Sequence, residues 1–305
     1  MIEIPEFPGA EVIGDNTDRP AWLARRRTGL GASDAAAIVG KDPSRGPFAL
    51  YAQLTGEYDH DIGERPEVRL GKVVEGAVGE LYREQTGRPV EPCRVHMRSR
   101  DVPIMLATLD AVTRIDDAAA PLEIKTTGSW RADEWADGAP PRPWWQCQAQ
   151  MLVTGARKAS IAALIWPRVV WLDVERDDAA IGYLVRCAEE LWARVQRRDP
   201  PPPDPSPATR AALAAMYPRD DGRTVVLPGA LMDLSDRIDT WKAARKALDA
   251  QIDAAESEIK AAIGDATLGI LPDRSSWSWK HQVRRGFTAP ETASRVLRRH
   301  AAKGV

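Results

Sequence analysis

Three charged residues at short spacing are the part of this 305-residue chain best suited to chemistry. Leu109-Asp110 is followed, after a turn marked by Asp116-Asp117, by Leu122-Glu123-Ile124-Lys125. Successive side chains of a strand alternate faces, so Glu123 and Lys125 project together while Ile124 points into the core. A neighbouring strand carrying Asp110 would then bring two carboxylates and an amine to one point. Carboxylate oxygens with few nitrogen ligands suit a hard cation such as Mg2+ or Mn2+. A lysine beside such an ion can orient or deprotonate water, and the ion stabilises charge on a phosphoryl oxygen. The pattern suits metal-assisted phosphodiester hydrolysis, although Asp followed by Glu-x-Lys also describes an ordinary salt-bridged strand facing solvent.

The elements that must position these groups are legible from periodicity. Leu70, Val73, Val74, Ala77, Val78, Leu81 and Tyr82 recur at helical spacing, with Gly87 as a stop and Glu75 at the edge of the stripe. Extended segments are predicted over 94–99, 103–109, 111–115 and 122–126. A helix is predicted over 144–154, a hairpin over 160–166 and 169–174 joined at Pro167-Arg168, and a helix over 178–197. Ser33 or Asp34 can cap a short alanine-rich helix over 35–39. Helices flanking a central mixed sheet define an α/β domain. Trp144 and Trp145, ahead of the glutamine-containing helix, suit core packing better than base stacking.

A stretch with six prolines in nine residues, 199–207, lacks backbone donors and reads as a semi-rigid spacer. The expected organisation is a compact domain over 1–198, a Pro-rich linker over 199–208 and a separate region over 209–305. In that last region Leu231, Leu234, Ile238, Trp241, Leu248, Ile252, Ala255 and Ile259 follow steps of three and four, with Arg245 in the one missing seam position. Such a helix either packs on the protein's own surface or self-associates. Trp277 and Trp279 alternate in a short strand-like run, and residues 275–305 carry seven basic side chains against one acid, a net +6 suited to solvation or to DNA phosphates.

Composition narrows the class. With 44% hydrophobic and 28% charged residues the chain is globular, and 42 basic against 44 acidic residues exclude a generally basic, histone-like protein. Cys93, Cys147 and Cys187 include no Cys-x-x-Cys pair, so neither a disulfide framework nor a cysteine-only zinc site is suggested. His60, His96, His281 and His300 form no spaced cluster. No window approaches the roughly 18 apolar residues of a membrane span and the N-terminus has no secretory pattern, so a cytoplasmic protein is expected.

Four blocks in order give the chain a resemblance to the phage lambda-type exonucleases, or YqaJ-like viral recombinases, of the PD-(D/E)XK nuclease superfamily. They are Trp22-x-x-x-Arg26 with Gly29-Leu30-Gly31-Ala32-Ser33-Asp34; Gly71-x-x-x-Glu75; Thr108-Leu109-Asp110 with Glu123-Ile124-Lys125; and Gln146-Cys147-Gln148 leading to Met151 and Val153-Thr154-Gly155. Together they span about residues 20 to 195. The resemblance implies a restriction-endonuclease-like core, a central mixed sheet flanked by helices, with a C-terminal helical extension outside it. It implies that Asp110, Glu123, Glu75 and the Ile124 carbonyl hold Mg2+, with Mn2+ a substitute, and that Lys125 positions or activates water. It places Arg26, Ser33, Thr108 and Gln148 at the 5′-phosphate of a DNA end, a donor set that suits phosphate on chemical grounds too. The choice among Arg25, Arg26 and Arg27, and between Gln146 and Gln148, stays open.

The implied activity is a Mg2+-dependent 5′-to-3′ exonuclease that degrades one strand of linear duplex DNA and leaves 3′ overhangs for phage-type recombination. Implied partners are linear double-stranded DNA, a single-strand annealing protein and further copies of the chain, in a phage or prophage context, with no membrane association. Other readings are a RecB-like nuclease, a restriction-type endonuclease, or a non-catalytic DNA-end-binding module. A cluster-binding Cas4-like enzyme is disfavoured because suitably placed cysteines are missing.

Overall fold

A computed structural model describes residues 7–59, 66–93 and 95–283. The chain opens with strand β1 (Ala10–Asp15) and helix α1 (Arg19–Arg26), whose N-cap Asp18 accepts from the Ala21 amide. Strand β2 (Leu30–Gly31) leads through a 3-10 turn (Ala32–Asp34) into the buried helix α2 (Ala35–Ile38). Neither Ser33 nor Asp34 caps α2 with its side chain, contrary to the expectation from sequence; both are engaged by arginines. Helices α3 (Pro47–Leu54) and α4 (Pro66–Thr86) follow, and Gly87 ends α4 in the left-handed region at φ 71°.

Next come β3 (Glu91–Pro92), β4 (Val95–Ser99), β5 (Met105–Thr108), β6 (Ala111–Ile115) and β7 (Ala118–Thr127). Asp116 and Asp117, both at positive φ, make the tight β6–β7 turn. A 3-10 segment (Ser129–Trp135) precedes helix α5 (Pro141–Thr154), which stops at left-handed Gly155. The hairpin β8 (Lys158–Ile165) and β9 (Arg168–Glu175) leads to α6 (Asp178–Arg197), capped by Asp177 through the Ala179 and Ala180 amides.

Strands β1 to β9 form two separate sheets where one was expected. One has the order β3-β6-β7-β8-β9, with only β7 and β8 parallel; the other has the order β1-β4-β5-β2. The chain passes from one sheet to the other at Leu109-Asp110, between β5 and β6. Helix α5 is buried between them. Its Cys147 and Met151 pack with Ile161 and Val174, while Ala149, Leu152 and Val153 join Leu30, Met97 and Met105. Helix α4 covers the opposite face of the larger sheet with Val78 and Tyr82 against Leu122 and Ala162. Leu70, Val73 and Leu81, expected inward, are exposed, because only the Val74-Val78-Tyr82 stripe faces the sheet.

The first compact unit continues to Pro218 rather than ending before the prolines. Pro201 is buried, and Asp204 and Ser206 accept from the Phe48 and Gly46 amides at the start of α3. These orphan helix donors need acceptors, and the proline-rich segment supplies them. Helix α7 (Pro207–Met216) then packs Ala208 and Ala212 against Phe48, Ala49 and Ala52. The second unit, from Arg219 onward, contains the 34-residue helix α8 (Ala230–Ile263) and the hairpin β10 (Leu268–Ile270) and β11 (Ser276–Ser278). The basic tail beyond Val283, with His300, and His60 lie outside the described residues. Among the described residues no helix is long and apolar enough to cross a membrane.

Candidate active site

Pairing of β6 with β7 places Ala111 opposite Leu122, so Asp110 arrives beside Glu123. The Asp110 Oδ2 accepts from the Ile124 amide at 2.8 Å, fixing the carboxylate at the sheet-to-sheet crossing. Glu123 and Lys125 share the face of β7 that meets α5, and the Lys125 ammonium is in contact with the Glu123 Oε1. The opposite face carries Ile124, which packs with Val78, Tyr82 and Leu122 beneath α4. Gly71 lets α4 approach that same strand, since a Cβ there would lie 3.2 Å from the Thr126 hydroxyl. Glu75 on α4 reaches the cleft from its edge.

That cleft has a volume of about 990 Å³, and its lining includes Trp22, Ser33, Glu75, Thr108, Asp110, Glu123 and Lys125. Burial, with Glu123 and Glu75 nearby, pushes the Asp110 carboxyl well above the usual range. Glu75 is raised as well, first by desolvation and then by Glu123. For Lys125, desolvation opposes the charge, but Glu123 and Asp110 outweigh it and hold the ammonium protonated more firmly than usual. These three carboxylates repel one another around one lysine, so the site favours added positive charge. Among the described residues no three His, Cys, Asp or Glu side chains close on a single point as they stand. The donors are nonetheless the hard oxygens that Mg2+ or Mn2+ takes, and the raised Asp110 and Glu75 carboxyls mark where a cation would relieve the repulsion.

Two glutamines of α5 complete the cluster. Gln146 accepts from Lys125 Nζ at 3.0 Å, and Gln150 donates to Glu123 Oε2 at 2.5 Å. Gln148 is turned away: it is fully buried, donates to the Glu175 carbonyl and accepts from the Asp177 amide. Helix geometry is the reason, since residues two apart diverge by about 200° whereas residues four apart share a face. The expected phosphate role of Gln148 is therefore corrected, and of the two glutamines left open it is Gln146 that lines the cleft. Gln150 was missed, although its i,i+4 spacing from Gln146 was a usable signal.

Among the three consecutive arginines, Arg26 is the one directed at the cleft wall. It donates to Ser33 Oγ at 3.0 Å, pairs with Asp34 at 3.1 Å and lies over the Trp22 ring at 5.4 Å. Trp22 Nε1 in turn donates to Thr108 Oγ1 at 3.3 Å, which links three of the predicted phosphate contacts. Arg25 instead donates to the Asp15 carbonyl, and Arg27 is exposed. Arg45, which no sequence signal marked, pairs with Asp34 at 2.8 Å. Asp34 is buried, yet the two guanidiniums overcome its desolvation and hold its carboxyl below the usual value. Lys72, Arg131 and Arg142 add further positive charge to the cleft wall. Cys147 is fully buried and its thiol is pushed well up, first by burial and then by Glu123, as suits a structural thiol. Trp144 and Trp145 stack edge-on at 5.0 Å and pack with neighbouring core side chains.

Residues 21–157 match the YqaJ-like viral recombinase domain, and this stretch contains every site residue described above. The Bacillus subtilis (strain 168) "Uncharacterized protein YqaJ" is 29% identical over 282 residues, covering 90% of this chain and 88% of that protein. Among solved structures, the alkaline exonuclease LHK-Exo from Laribacter hongkongensis superposes with a TM-score of 0.50 at 21% identity, covering 59% of this chain and 94% of that one. The same enzyme in complex with dAMP gives the same values. At that identity the likeness concerns the fold alone, an α/β core of mixed sheets flanked by helices. Over residues 21–157, then, the chain is similar to the YqaJ-like viral recombinase domains.

Proposed function

We propose that this chain is a Mg2+-dependent exonuclease that degrades one strand of linear duplex DNA from its 5′ end and leaves a 3′ overhang for an annealing protein. The observation that carries the reading is that Asp110, Glu123, Glu75 and Lys125 line the same cleft as Ser33 and Thr108, with Arg26 bonded to Ser33. The fold it shares with an alkaline exonuclease supports the same class of chemistry. Polarity and the annealing partner follow from the family resemblance alone.

In this reading Asp110, Glu123 and Glu75, with the Ile124 carbonyl, hold Mg2+, which when bound supplies charge stabilisation at a phosphoryl oxygen. Lys125, held as an ammonium, steadies negative charge and orients water through its proton-donating contacts rather than removing a proton. Gln146 and Gln150 fix the geometry of Lys125 and Glu123. Arg26 and Ser33 receive the terminal 5′-phosphate, and the Lys72, Arg131 and Arg142 side chains lining the cleft favour a polyanion.

The test is linear duplex DNA, 5′-phosphorylated and end-labelled on either strand, incubated with Mg2+, with EDTA, and with the Lys125→Ala variant. Progressive loss of the 5′-ended strand, abolished by EDTA and by the substitution, is expected. Cleavage of closed circular DNA would replace this reading with a restriction-type endonuclease. Bound but undigested ends at every metal concentration would leave an end-binding module.

A further inference from the structure

Helix α8 carries an apolar seam that no other described residue of its own unit buries. Leu231 and Leu234 are 40% and 41% exposed, Trp241 53%, Leu248 58% and Ile252 55%, and the helix has no buried residue over its 34 positions. These side chains occupy the a and d positions of a continuous heptad, with Arg245 alone interrupting it. A helix of this length spans roughly 51 Å at 1.5 Å per residue, enough for a stable two-stranded seam.

The charges beside the seam select the partner and its direction. Arg237 and Glu258 fall at g positions, Lys242 and Asp249 at e positions. In a parallel pair g meets e of the neighbour, which sets Arg237 against Lys242 and stacks Arg245 on itself in one layer. In an antiparallel pair e meets e and g meets g. The register that overlaps the whole helix, with Ala230 across from Ile263 of the partner subunit, then sets Lys242 against Asp249 of the partner subunit. It also sets Arg237 against Glu258 of the partner subunit. The two-fold axis repeats both attractions. Arg245 lies across from Leu248 of the partner subunit, within about one residue of axial rise of Asp249 of the partner subunit, so the one cation in the seam gains an acid. Bulky Ile238 faces Ala255 of the partner subunit, a large-to-small fit. Arg237 already lies over the Trp241 ring at 4.8 Å, which holds it at the flank where this contact is needed.

We propose that α8 is an antiparallel homodimerisation helix, pairing with α8 of a second copy of this chain about the helix midpoint. The inference does not depend on the nuclease reading, since none of these residues lines the cleft.

The full-length protein is examined by sedimentation equilibrium as wild type, Arg237→Glu, Glu258→Arg and the double variant, with far-UV circular dichroism as a control for folding. Wild type is expected to dimerise, each single reversal to raise the dimer dissociation constant by roughly tenfold or more, and the double variant to regain wild-type affinity. The two positions lie too far apart on one helix to touch, so rescue reports the antiparallel contact. A monomeric or trimeric wild type, single variants that dimerise normally, or a double variant as weak as the singles would each overturn the proposal. If a reversal lowers helicity, Lys242→Asp with Asp249→Lys repeats the test at the e positions.

Discussion

Acidification should destabilise this protein through His96, and the effect can be sized from its surroundings. His96 is 2% exposed on β4, pairs in register with Thr108 on β5, and its ring centroid lies 6.3 Å from that of Trp22. Its Nδ1 finds no hydrogen-bond partner among the described residues. Burial, together with Arg25, Arg26 and Arg98, lowers its pKa to about 4. The unfolded chain binds the proton near about 6.5. The folded state therefore holds fewer protons between those values, so the contribution is fully present above about 6.5 and is lost as pH falls towards about 4. The whole gap is worth about 3 kcal/mol, of which roughly 2.5 kcal/mol falls between pH 7.5 and 4.5. Urea unfolding at those two pH values, in wild type and His96→Leu, isolates the term because every other titrating group is common to both. Wild type should lose roughly 2.5 kcal/mol more than the variant over the interval. Equal losses in both proteins, or an NMR titration of His96 near 6.5, would refute the reasoning.

Other outcomes follow from the same contacts. Gln150→Leu leaves the buried Glu123 Oε2 without its donor, so stability should fall by about 1–3 kcal/mol and cleavage by roughly tenfold or more, read by urea midpoint and by rate. Gln148→Ala removes the two bonds that tie α5 to the β9–α6 junction; it should cost about 2 kcal/mol by urea unfolding yet leave the affinity for DNA ends unchanged. Arg26→Ala should erase the preference for 5′-phosphorylated over 5′-hydroxyl ends, measured as a ratio of initial rates. Arg45→Leu strands a buried carboxylate at Asp34 with one guanidinium in place of two, and should lower stability by about 3 kcal/mol in the same unfolding assay.

The legible part of the site is the part carried by one strand. Glu123, Ile124 and Lys125 alternate faces because a strand has period two, so their arrangement was readable before any partner was known. Helix α6 likewise matched its predicted span over 178–197, because Asp177 caps it locally and its apolar spacing is regular. Periodicity locates helix α4 but not its inward face: Leu70, Val73 and Leu81 have the right spacing, yet only the Val74-Val78-Tyr82 stripe meets the sheet. The composition of the proline-rich segment, which lacks donors, implies a spacer; the acceptors Asp204 and Ser206 instead serve the start of α3, about 156 to 160 residues away in sequence.

Local periodicity and residue chemistry, then, determine the strands, the long helices, the carboxylate–lysine strand and the heptad of α8. They act over a few residues, and the chain states them directly. Tertiary structure decides which glutamine of α5 faces the cleft, which of three adjacent arginines meets Ser33, and that Asp34 is held between two guanidiniums rather than capping a helix. It also decides the split into two sheets, with Asp110 at the crossing. These outcomes depend on the rotation of each element against distant neighbours, which is set by side-chain packing across the core and by the need to pair every buried polar group.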